Sequence, residues 1–257
     1  MKIIIEPLVS IITVVLNGRK TIEQTILSVR NQSYANIEYI IIDGGSTDGT
    51  INIIEKYSEG VDFWISESDN GLYDAMNKGI GYANGELIGL LNSDDYYESD
   101  AVSRVIEAYK SNRSSKIFHG DRMDILSTGH RQLRKFDPSN FMFKYYSMTY
   151  HHPSMFIHRD CYREFLYNKD LRVYSDYQFV LELYLKHSEY FHYIEGPYVN
   201  YRLEGASTRI NTINKLREGY IARRLAGMSR INSLFSFFLR LGIFMFYHPK
   251  PKSTQIE

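Results

Sequence analysis

The sequence is poor in cysteine, in proline and in long apolar runs. Its 257 residues include one cysteine, Cys161, so no disulfide can form within the chain and a reducing, cytoplasmic location is expected. No apolar stretch of about 18 residues occurs without interruption, so no conventional transmembrane helix is expected. Near the start, Glu6 and Pro7 interrupt the apolar run too early for a signal peptide. With 44% hydrophobic and 23% charged residues, the composition is that of a globular protein.

The sequence also lacks net charge, since Lys+Arg and Asp+Glu each number 30. This balance excludes the domain-wide basic field of a nucleic-acid-binding protein, and no nucleic-acid partner is expected. The balance is a cancellation, because residues 1–110 hold 8 Lys/Arg against 17 Asp/Glu and residues 111–257 hold 22 against 13. A cation site is therefore expected in the first half, and a surface for anionic lipid or a phosphate-bearing partner in the second.

β-Branched apolar runs alternate with amphipathic segments in the first half of the chain. The pattern predicts strands at residues 8–16, 37–42, 61–66 and 86–91, and helices at residues 21–31, 50–57, 73–83 and 101–112. This alternation predicts a parallel, right-handed α/β sheet with helices on both faces. Beyond residue 115 the periodicity weakens. It predicts a strand at 154–158, a helix at 176–185, an edge segment at 193–201 limited by Pro197, and a helical tail from residue 211.

Polar side chains follow the predicted strand ends, where parallel sheets bind ligands. Neither GxGxxG nor GxxxxGK[ST] occurs, so the usual dinucleotide and P-loop sites lack their glycines. A carboxylate repels phosphate, but it can accept hydrogen bonds from a base or ribose, or hold a divalent cation. The run Asn92-Ser93-Asp94-Asp95 is therefore a candidate metal site; a turn that caps the next helix is the alternative.

Four segments carry a family resemblance: VSIITVVLN at 9–17, IIIDGGSTDGT at 40–50, SDNGLYDAMNKGIGYANGELIGLLNSDD at 68–95, and YSDYQF at 174–179. Together they resemble a family-2 glycosyltransferase of the GT-A type, close to bacterial enzymes of surface-polysaccharide assembly. The resemblance covers residues 8–210. It implies a mostly parallel central sheet with helices on both faces and a helical C-terminal tail. It also implies a nucleotide-sugar donor, a divalent cation and inverting transfer onto an acceptor hydroxyl.

The resemblance assigns donor-binding roles to residues at the strand ends. Asp43 would bind the base and Asp69 the ribose and diphosphate, while Asn92-Ser93-Asp94 resembles the DxD motif with Asn in place of its first Asp. Asp94 would then hold Mg²⁺ or Mn²⁺ through its carboxylate oxygens. Late in the family region, Arg202 would contact the diphosphate, with a surface salt bridge as the alternative. The implied donor-binding set is Val15, Asn17, Asp43, Asp69, Asn92, Ser93 and Arg202.

The same resemblance implies an acceptor site in the second half. Asp176 matches the catalytic base, which removes the proton of the acceptor hydroxyl; an N-cap role is the alternative. His119, Asp121 and His152 match positions that line the acceptor site. A metal shared by His151 and His152 is not expected, because adjacent residues of an extended segment point to opposite sides.

The tail is basic and apolar: residues 219–256 contain six Lys/Arg and no Asp or Glu. It fits docking on an anionic membrane surface, or packing on its own core or a second subunit. We predict a nucleotide-sugar-binding half at 1–115, an acceptor-binding and catalytic-base half of the same domain at 116–210, and a helical tail at 211–257. The predicted function is a metal-dependent inverting hexosyltransferase that uses a UDP-linked donor and a glycan or lipid-linked acceptor. A nucleotidyltransferase acting on sugar phosphates and a non-catalytic assembly subunit are the alternatives, and a homo-oligomer is possible.

Overall fold

The computed structural model describes residues 6–203 and 211–246. In its first half, each β-branched run forms a strand of a sheet that is covered on both faces. The strands β1 (Val9–Val15), β2 (Ile37–Asp43), β3 (Phe63–Ser66) and β4 (Leu87–Asn92) are parallel and lie in the order β3-β2-β1-β4. The predicted parallel sheet is confirmed, with strand ends displaced by two residues or fewer.

Four helices connect these strands, and they divide the core into two layers. Their bounds are α1 (Ile22–Arg30), α2 (Thr50–Lys56), α3 (Leu72–Tyr82) and α4 (Ala101–Ser111). The helix α3 buries Met76 against Ile12 and Ile42 on one face of the sheet. The other three helices pack on the opposite face, where Ile26 and Val105 join Ile11 in a second cluster. Since odd and even residues of β1 point to opposite faces, this single apolar run supplies side chains to both layers of the core.

The second half extends the same sheet with strands of mixed direction. These are β5 (Tyr96–Tyr97), β6 (Ile117–Ile125), β7 (Arg131–Arg134), β8 (Phe156–His158) and β9 (Phe191–Arg202). In the described residues the sheet has nine strands in the order β3-β2-β1-β4-β8-β6-β9-β5, with β7 paired to β6. One sheet therefore includes strands from both sides of residue 115.

One expectation for the second half was wrong, and one region without a prediction proved to be structured. Residues 122–150, for which no element was predicted, hold the end of β6, the strand β7 and a helical turn at Met142–Tyr146. Pro197 was expected to confine its strand to an edge, but β9 lies between β6 and β5. Pro197 is tolerated there because it stands at a register shift opposite Asp121, where the strand pairing is already irregular.

The remaining helices are α5 (Arg159–Glu164), α6 (Ser175–Lys186), α7 (Thr212–Leu225) and α8 (Arg230–Phe246). The predicted helical tail is confirmed for residues 212–225 and 230–246. α7 packs against α6, and α8 packs against α7 and the turn at Met142–Tyr146. None of the helices in the described ranges is long and apolar enough to cross a bilayer.

Two glycines of α3 offer a matched test of this packing. A Cβ at Gly79 would overlap the Cγ2 methyl of Ile12, whereas a Cβ at Gly81 would meet no atom within 4 Å. We expect Gly79→Ala to lower the free energy of unfolding by about 1–3 kcal/mol through overpacking. Gly81→Ala should raise it by about 0.5–1 kcal/mol, because alanine is the better helix former. Urea denaturation measures both, and equal effects at the two positions would contradict this packing.

Candidate active site

The loops after β1 and β2 are joined by a chain of hydrogen bonds. Asn17, at φ 54°, donates its backbone N–H to the Ser46 hydroxyl at 2.7 Å, and its Oδ1 accepts the N–H of Thr47 at 3.0 Å. Ser46 donates in turn to Oδ1 of Asp43 at 2.5 Å. Val15 pairs with Asp43 in the sheet and is buried. The structure therefore brings together Val15, Asn17 and Asp43, which were predicted to bind the base.

Asp43 is fully buried, with 0% of its surface exposed. Its Oδ2 accepts hydrogen bonds from the backbone N–H groups of Gly45 and Ser46 and from the Ser66 hydroxyl at 2.6 Å. The carboxylate thus fixes the shape of the loop that follows β2. In this arrangement the accessible surface comes from the loop backbone and the exposed Asn17, while the buried Asp43 holds that backbone in place.

Asp69 lies directly against this loop. A Cβ on Gly44 would meet Oδ2 of Asp69 at 2.5 Å, so only glycine leaves room for the carboxylate at this point. Oδ1 of Asp69 accepts the N–H of Gly71 at 2.8 Å, just before α3 begins. Within α3, the carboxylate of Asp74 accepts the N–H of Asn70 and forms an ion pair with Lys169 at 3.2 Å. The sequence pattern did not single out Asp74, whose signal was its place within the 68–95 motif.

The segment after β4 lies beside the β1 loop. Asn92 pairs with Val14 across the sheet, and a Cβ on Gly18 would meet the Ser93 hydroxyl at 3.1 Å. Oδ1 of Asn92 and Oδ2 of Asp95 are buried, and among the described residues neither has a hydrogen-bond partner. Buried oxygens without partners are costly, and they mark a place where a cation or water would be favourable.

The surroundings of Asp94 and Asp95 disfavour the charged form of both carboxyl groups. Burial raises the pKa of Asp94, although the nearby Arg202 guanidinium opposes the rise. Burial and the adjacent charge of Asp94 raise the pKa of Asp95 well above its usual range. Asp95 is wholly buried and does not cap α4, which begins after Asp100. A cation at this point would offset both penalties.

Arg202, the last residue of β9, lies beside Asp94 and Asp95. Its backbone N–H donates to Oδ1 of Asp95 at 3.1 Å, and its guanidinium donates to the Asp94 carbonyl oxygen and to the Gln24 side chain. Its guanidinium carbon lies 5.4 Å from the centre of the Tyr96 ring. Arg122, which no sequence motif marked, also acts on Asp95, because its positive charge lowers the pKa of that carboxyl. The rest of the late family segment, 204–210, lies outside the described residues.

The residues at this strand end suit a divalent cation for which the protein supplies only some of the ligands. In the described ranges, no group of three or more His, Cys, Asp or Glu is placed to hold a metal ion. The available oxygens are those of Asp94, the orphaned Oδ1 of Asn92 and the orphaned Oδ2 of Asp95. Such a sparse set of hard oxygen ligands suits Mg²⁺ or Mn²⁺, which commonly complete their coordination with water and substrate phosphates.

Asp176 lies in the first turn of α6, within hydrogen-bond distance of the start of α3. The N-cap of α6 is Tyr174, so Asp176 does not cap the helix. Oδ1 of Asp176 accepts the N–H of Tyr177 at 2.7 Å and the hydroxyl of Tyr73 at 3.1 Å. Oδ2 accepts no hydrogen bond from the described part of the chain. Because Tyr73 is the second residue of α3, four residues after Asp69, the carboxylate lies beside the start of α3, and its Oδ2 is left available.

His152 belongs to the same cluster through two tyrosines. Nε2 of His152 shares a hydrogen bond of 2.8 Å with the Tyr167 hydroxyl, and the Tyr167 ring stacks on Tyr73 at 5.8 Å. Burial lowers the pKa of His152, while the charge of Asp176 acts in the opposite direction. Tyr73 and Tyr167 are thus members of this site that the sequence did not reveal. Only Tyr73 lay in a recognisable motif.

The side chains of His119 and Asp121 are buried and form no part of an exposed surface. Asp121 is buried and accepts hydrogen bonds from the Phe136 N–H, the Gly196 N–H and the Tyr193 hydroxyl. His119 is 2% exposed and is surrounded by the rings of Phe136, Tyr150, Phe191 and Tyr193. Both residues belong to β6 and their side chains are buried, and their role in the acceptor site stays a prediction.

The buried histidines predict a loss of stability in acid. Burial lowers the pKa of His119 to about 3 and that of His151 to about 4, from an ordinary value near 6.5. The unfolded chain therefore binds more protons below pH 6.5, and each histidine should cost about 2 kcal/mol of stability between pH 7 and pH 5. His119→Phe keeps an aromatic ring in the cluster and removes one titrating group. Its stability, measured by denaturation at both pH values, should fall by about 2 kcal/mol less than that of the wild type.

Comparison with known proteins shows the family to which this chain belongs. Residues 10–166 match glycosyl transferase family 2, which is more than half of the chain, and the chain therefore belongs to that family. An uncharacterized glycosyltransferase of Mycobacterium tuberculosis is 39% identical over 122 residues, which span 47% of this chain and 47% of that protein. The chain thus spans about half the length of the first relatives it matches.

Further relatives carry more specific names. A PGL/p-HBAD biosynthesis glycosyltransferase of Mycobacterium bovis is 30% identical over 178 residues, or 67% of this chain and 68% of that protein. A Bacillus subtilis protein provisionally named a teichuronic acid biosynthesis glycosyltransferase is 38% identical over 105 residues, or 40% of this chain and 42% of the relative. The predicted resemblance to family-2 glycosyltransferases is confirmed by the family match and by these relatives.

Solved structures share the fold at low sequence identity. S. aureus TarS in complex with UDP-GlcNAc superposes with a TM-score of 0.72 at 16% identity, covering 93% of this chain and 73% of TarS. A mannosyltransferase from Pyrobaculum calidifontis in complex with GDP-Man and Mn²⁺ gives a TM-score of 0.61 at 14% identity, covering 96% of this chain and 77% of the other. The predicted GT-A-type fold is confirmed.

Proposed function

We propose that this chain is a metal-dependent inverting glycosyltransferase that moves one sugar from a UDP-linked donor to a glycan or lipid-linked acceptor. The observation that carries the proposal is the guanidinium of Arg202 beside the unsatisfied oxygens at Asn92–Asp95. The partly free carboxylate of Asp176, hydrogen-bonded to Tyr73 of the 68–95 segment, supports it. Acidic and basic groups at one strand end suit a donor whose diphosphate is held between a cation and an arginine.

In the proposed reaction, the acceptor oxygen attacks the anomeric carbon from the face opposite the diphosphate, and the bond from that carbon to the diphosphate oxygen breaks. Oδ2 of Asp176 takes the proton of the acceptor hydroxyl as the new bond forms. Tyr73 holds Oδ1 of Asp176 in place, so that Oδ2 faces the acceptor. Asp94, with Asn92 beside it, would hold the cation, whose positive charge offsets the charge developing on the leaving nucleotide. Arg202 adds a second positive charge on the same side.

The donor and acceptor classes rest on relatives. TarS has been solved with UDP-GlcNAc, and that likeness supports a UDP-linked sugar at the loops around Asn17 and Asp43. The Bacillus subtilis and Mycobacterium bovis names support a role in the biosynthesis of a surface polysaccharide or a related glycan. We place the reaction in the cytoplasm, in keeping with a single cysteine that is free and buried.

A donor panel tests the proposal. The purified chain is incubated with UDP-, GDP- and dTDP-sugars, with Mn²⁺ or with EDTA, and both thermal stabilisation and nucleotide release are measured. We expect stabilisation by UDP-sugars and release that depends on Mn²⁺ and on an added acceptor. Stabilisation by nucleoside triphosphates with release of pyrophosphate would instead indicate a nucleotidyltransferase. No stabilisation and no release with any donor would indicate a non-catalytic subunit.

A further inference from the structure

The helix α8 is built with its polar side chains facing inward. Ser233 and Ser236 are buried against the body of the protein, and the Ser236 hydroxyl donates to the Tyr145 carbonyl oxygen at 2.6 Å. Arg240, on the same side, donates to the Tyr174 hydroxyl at 2.5 Å. Residues 233, 236 and 240 recur at helical spacing and define the face that contacts the turn at Met142–Tyr146. Packing of α8 on the protein's own core thus combines these small and polar groups with the Phe235 ring, which contacts the rings of Tyr145 and Phe141.

The opposite face of α8 presents large apolar side chains to the outside. Ile231 is 79% exposed, Phe238 61% and Met245 59%, and these residues also recur at helical spacing. Leu234 widens the stripe, and Ile213 of α7 lies 75% exposed beside it. Between the two helices runs an apolar groove of about 380 Å³. We call this surface the α7–α8 face; its members are Ile213, Ile231, Leu234, Phe238 and Met245. A contiguous apolar surface of this kind marks an interaction site, because exposure to water is unfavourable unless something covers it.

The charges around the α7–α8 face have one sign. Arg217 lines the groove, and Arg230 begins α8 in an exposed position. The single carboxylate of the two helices, Glu218, accepts the backbone N–H groups of Arg172 and Val173 at 3.0 Å each. It is therefore engaged with the protein body. An apolar stripe bordered by uncompensated cations is the pattern of a helix that lies in the headgroup region of an anionic bilayer.

We propose that the α7–α8 face docks on the surface of an anionic lipid bilayer. The charges favour this occupant over a second copy of the chain, because a symmetric pair would bring the same patch of each copy together and set like charges against one another. Docking would also hold the site at the membrane. Glu218 and Arg240 tie α7 and α8 to residues 172–174, immediately before Asp176. The proposal does not depend on the glycosyltransferase reaction, since binding is measured without a donor.

Vesicle flotation of the full-length chain tests the proposal. The probes are vesicles of phosphatidylcholine alone and vesicles that also contain phosphatidylglycerol. We expect the wild type to float with the anionic vesicles and to release as salt is raised. Ile231→Ser with Phe238→Ser should weaken binding roughly tenfold or more by removing apolar area from the face. Arg217→Gln with Arg230→Gln should weaken binding to the anionic vesicles by about fivefold for each lost cation.

Matched controls separate the face from general stickiness. Leu133→Ser with Leu27→Ser removes two exposed leucines on β7 and α1, outside α7, α8 and the helix α6 that packs on α7, and should leave flotation unchanged. Melting temperatures verify that every variant is folded. Failure of the folded wild type to bind anionic vesicles would overturn the proposal. So would a concentration-dependent dimer that Phe238→Ser dissociates, since the face would then belong to a second copy.

Discussion

Asp176→Asn is expected to lower kcat by about 10²–10⁴-fold while donor binding stays at the wild-type level. The asparagine keeps Oδ1 as an acceptor for the Tyr73 hydroxyl and the Tyr177 N–H, so the geometry at the start of α6 is retained. What disappears is the charge on the second oxygen, which in the proposed reaction takes the acceptor proton. The measurement is sugar transfer at saturating donor, with donor binding followed separately by thermal stabilisation.

Two further variants make this result specific. Asp170→Asn changes an exposed aspartate six residues earlier in the chain and should transfer sugar as the wild type does. Tyr73→Phe removes the hydrogen bond to Oδ1 but keeps the carboxylate, and we expect a smaller loss than with Asp176→Asn. If Asp176→Asn retains near-wild-type transfer, Asp176 is not the base. If Tyr73→Phe is equally inactive, the geometry of the cluster outweighs the charge.

The sequence predicted the first half of the fold well because its signals are local. The runs that became β1 and β2 are rich in β-branched residues and the run that became β4 is mainly apolar, and such apolar runs are typical of a parallel strand covered on both faces. The polar residues after each run then had to meet at one edge of the sheet, and for this reason the sequence alone groups Asn17, Asp43 and Asn92. The family resemblance added that these loops match glycosyltransferase motifs in the same order along the chain.

The second half resisted prediction because its decisive contacts are distant in sequence. Tyr73 and Asp176 are 103 residues apart, and no local pattern pairs them. Pro197 is an ordinary edge signal, and only the irregular pairing with β6 explains its place between two strands. His119 lies in a polar-looking run whose neighbours in space are four aromatic rings drawn from other segments. Burial of such groups depends on tertiary packing.

The division of charge along the chain also acquires a structural meaning. The acidic first half supplies Asp94 and Asp95, while Arg122 and Arg202 of the basic second half come to lie beside them. The two halves therefore compensate one another at the strand end, and most of the excess of basic charge that remains lies in the two C-terminal helices, which hold six Lys/Arg and one Glu. Compensation at the site is incomplete, because the pKa of Asp94 and that of Asp95 are still raised.

Incomplete compensation leads to an expectation for Asp94→Asn that separates function from stability. In the absence of a divalent cation, the variant should be at least as stable as the wild type, because it removes a buried charge that repels Asp95. In the presence of Mn²⁺ and donor, it should lose at least about 10²-fold in transfer rate, since cation binding supplies several kcal/mol of charge stabilisation in such reactions. Added Mn²⁺ together with UDP should raise the melting temperature of the wild type more than that of the variant.

The matched control for Asp94→Asn is Asp100→Asn. Asp100 is an exposed aspartate that precedes α4, and among the described residues its side chain forms no capping hydrogen bond. Its loss should change neither the Mn²⁺ response nor the rate. The assignment of Asp94 fails if Asp94→Asn transfers sugar normally at limiting Mn²⁺, or if the wild type is equally active in EDTA. A fall in activity accompanied by a fall in melting temperature without metal would show that Asp94 supports the fold, because relief of the Asp94–Asp95 repulsion predicts the opposite change.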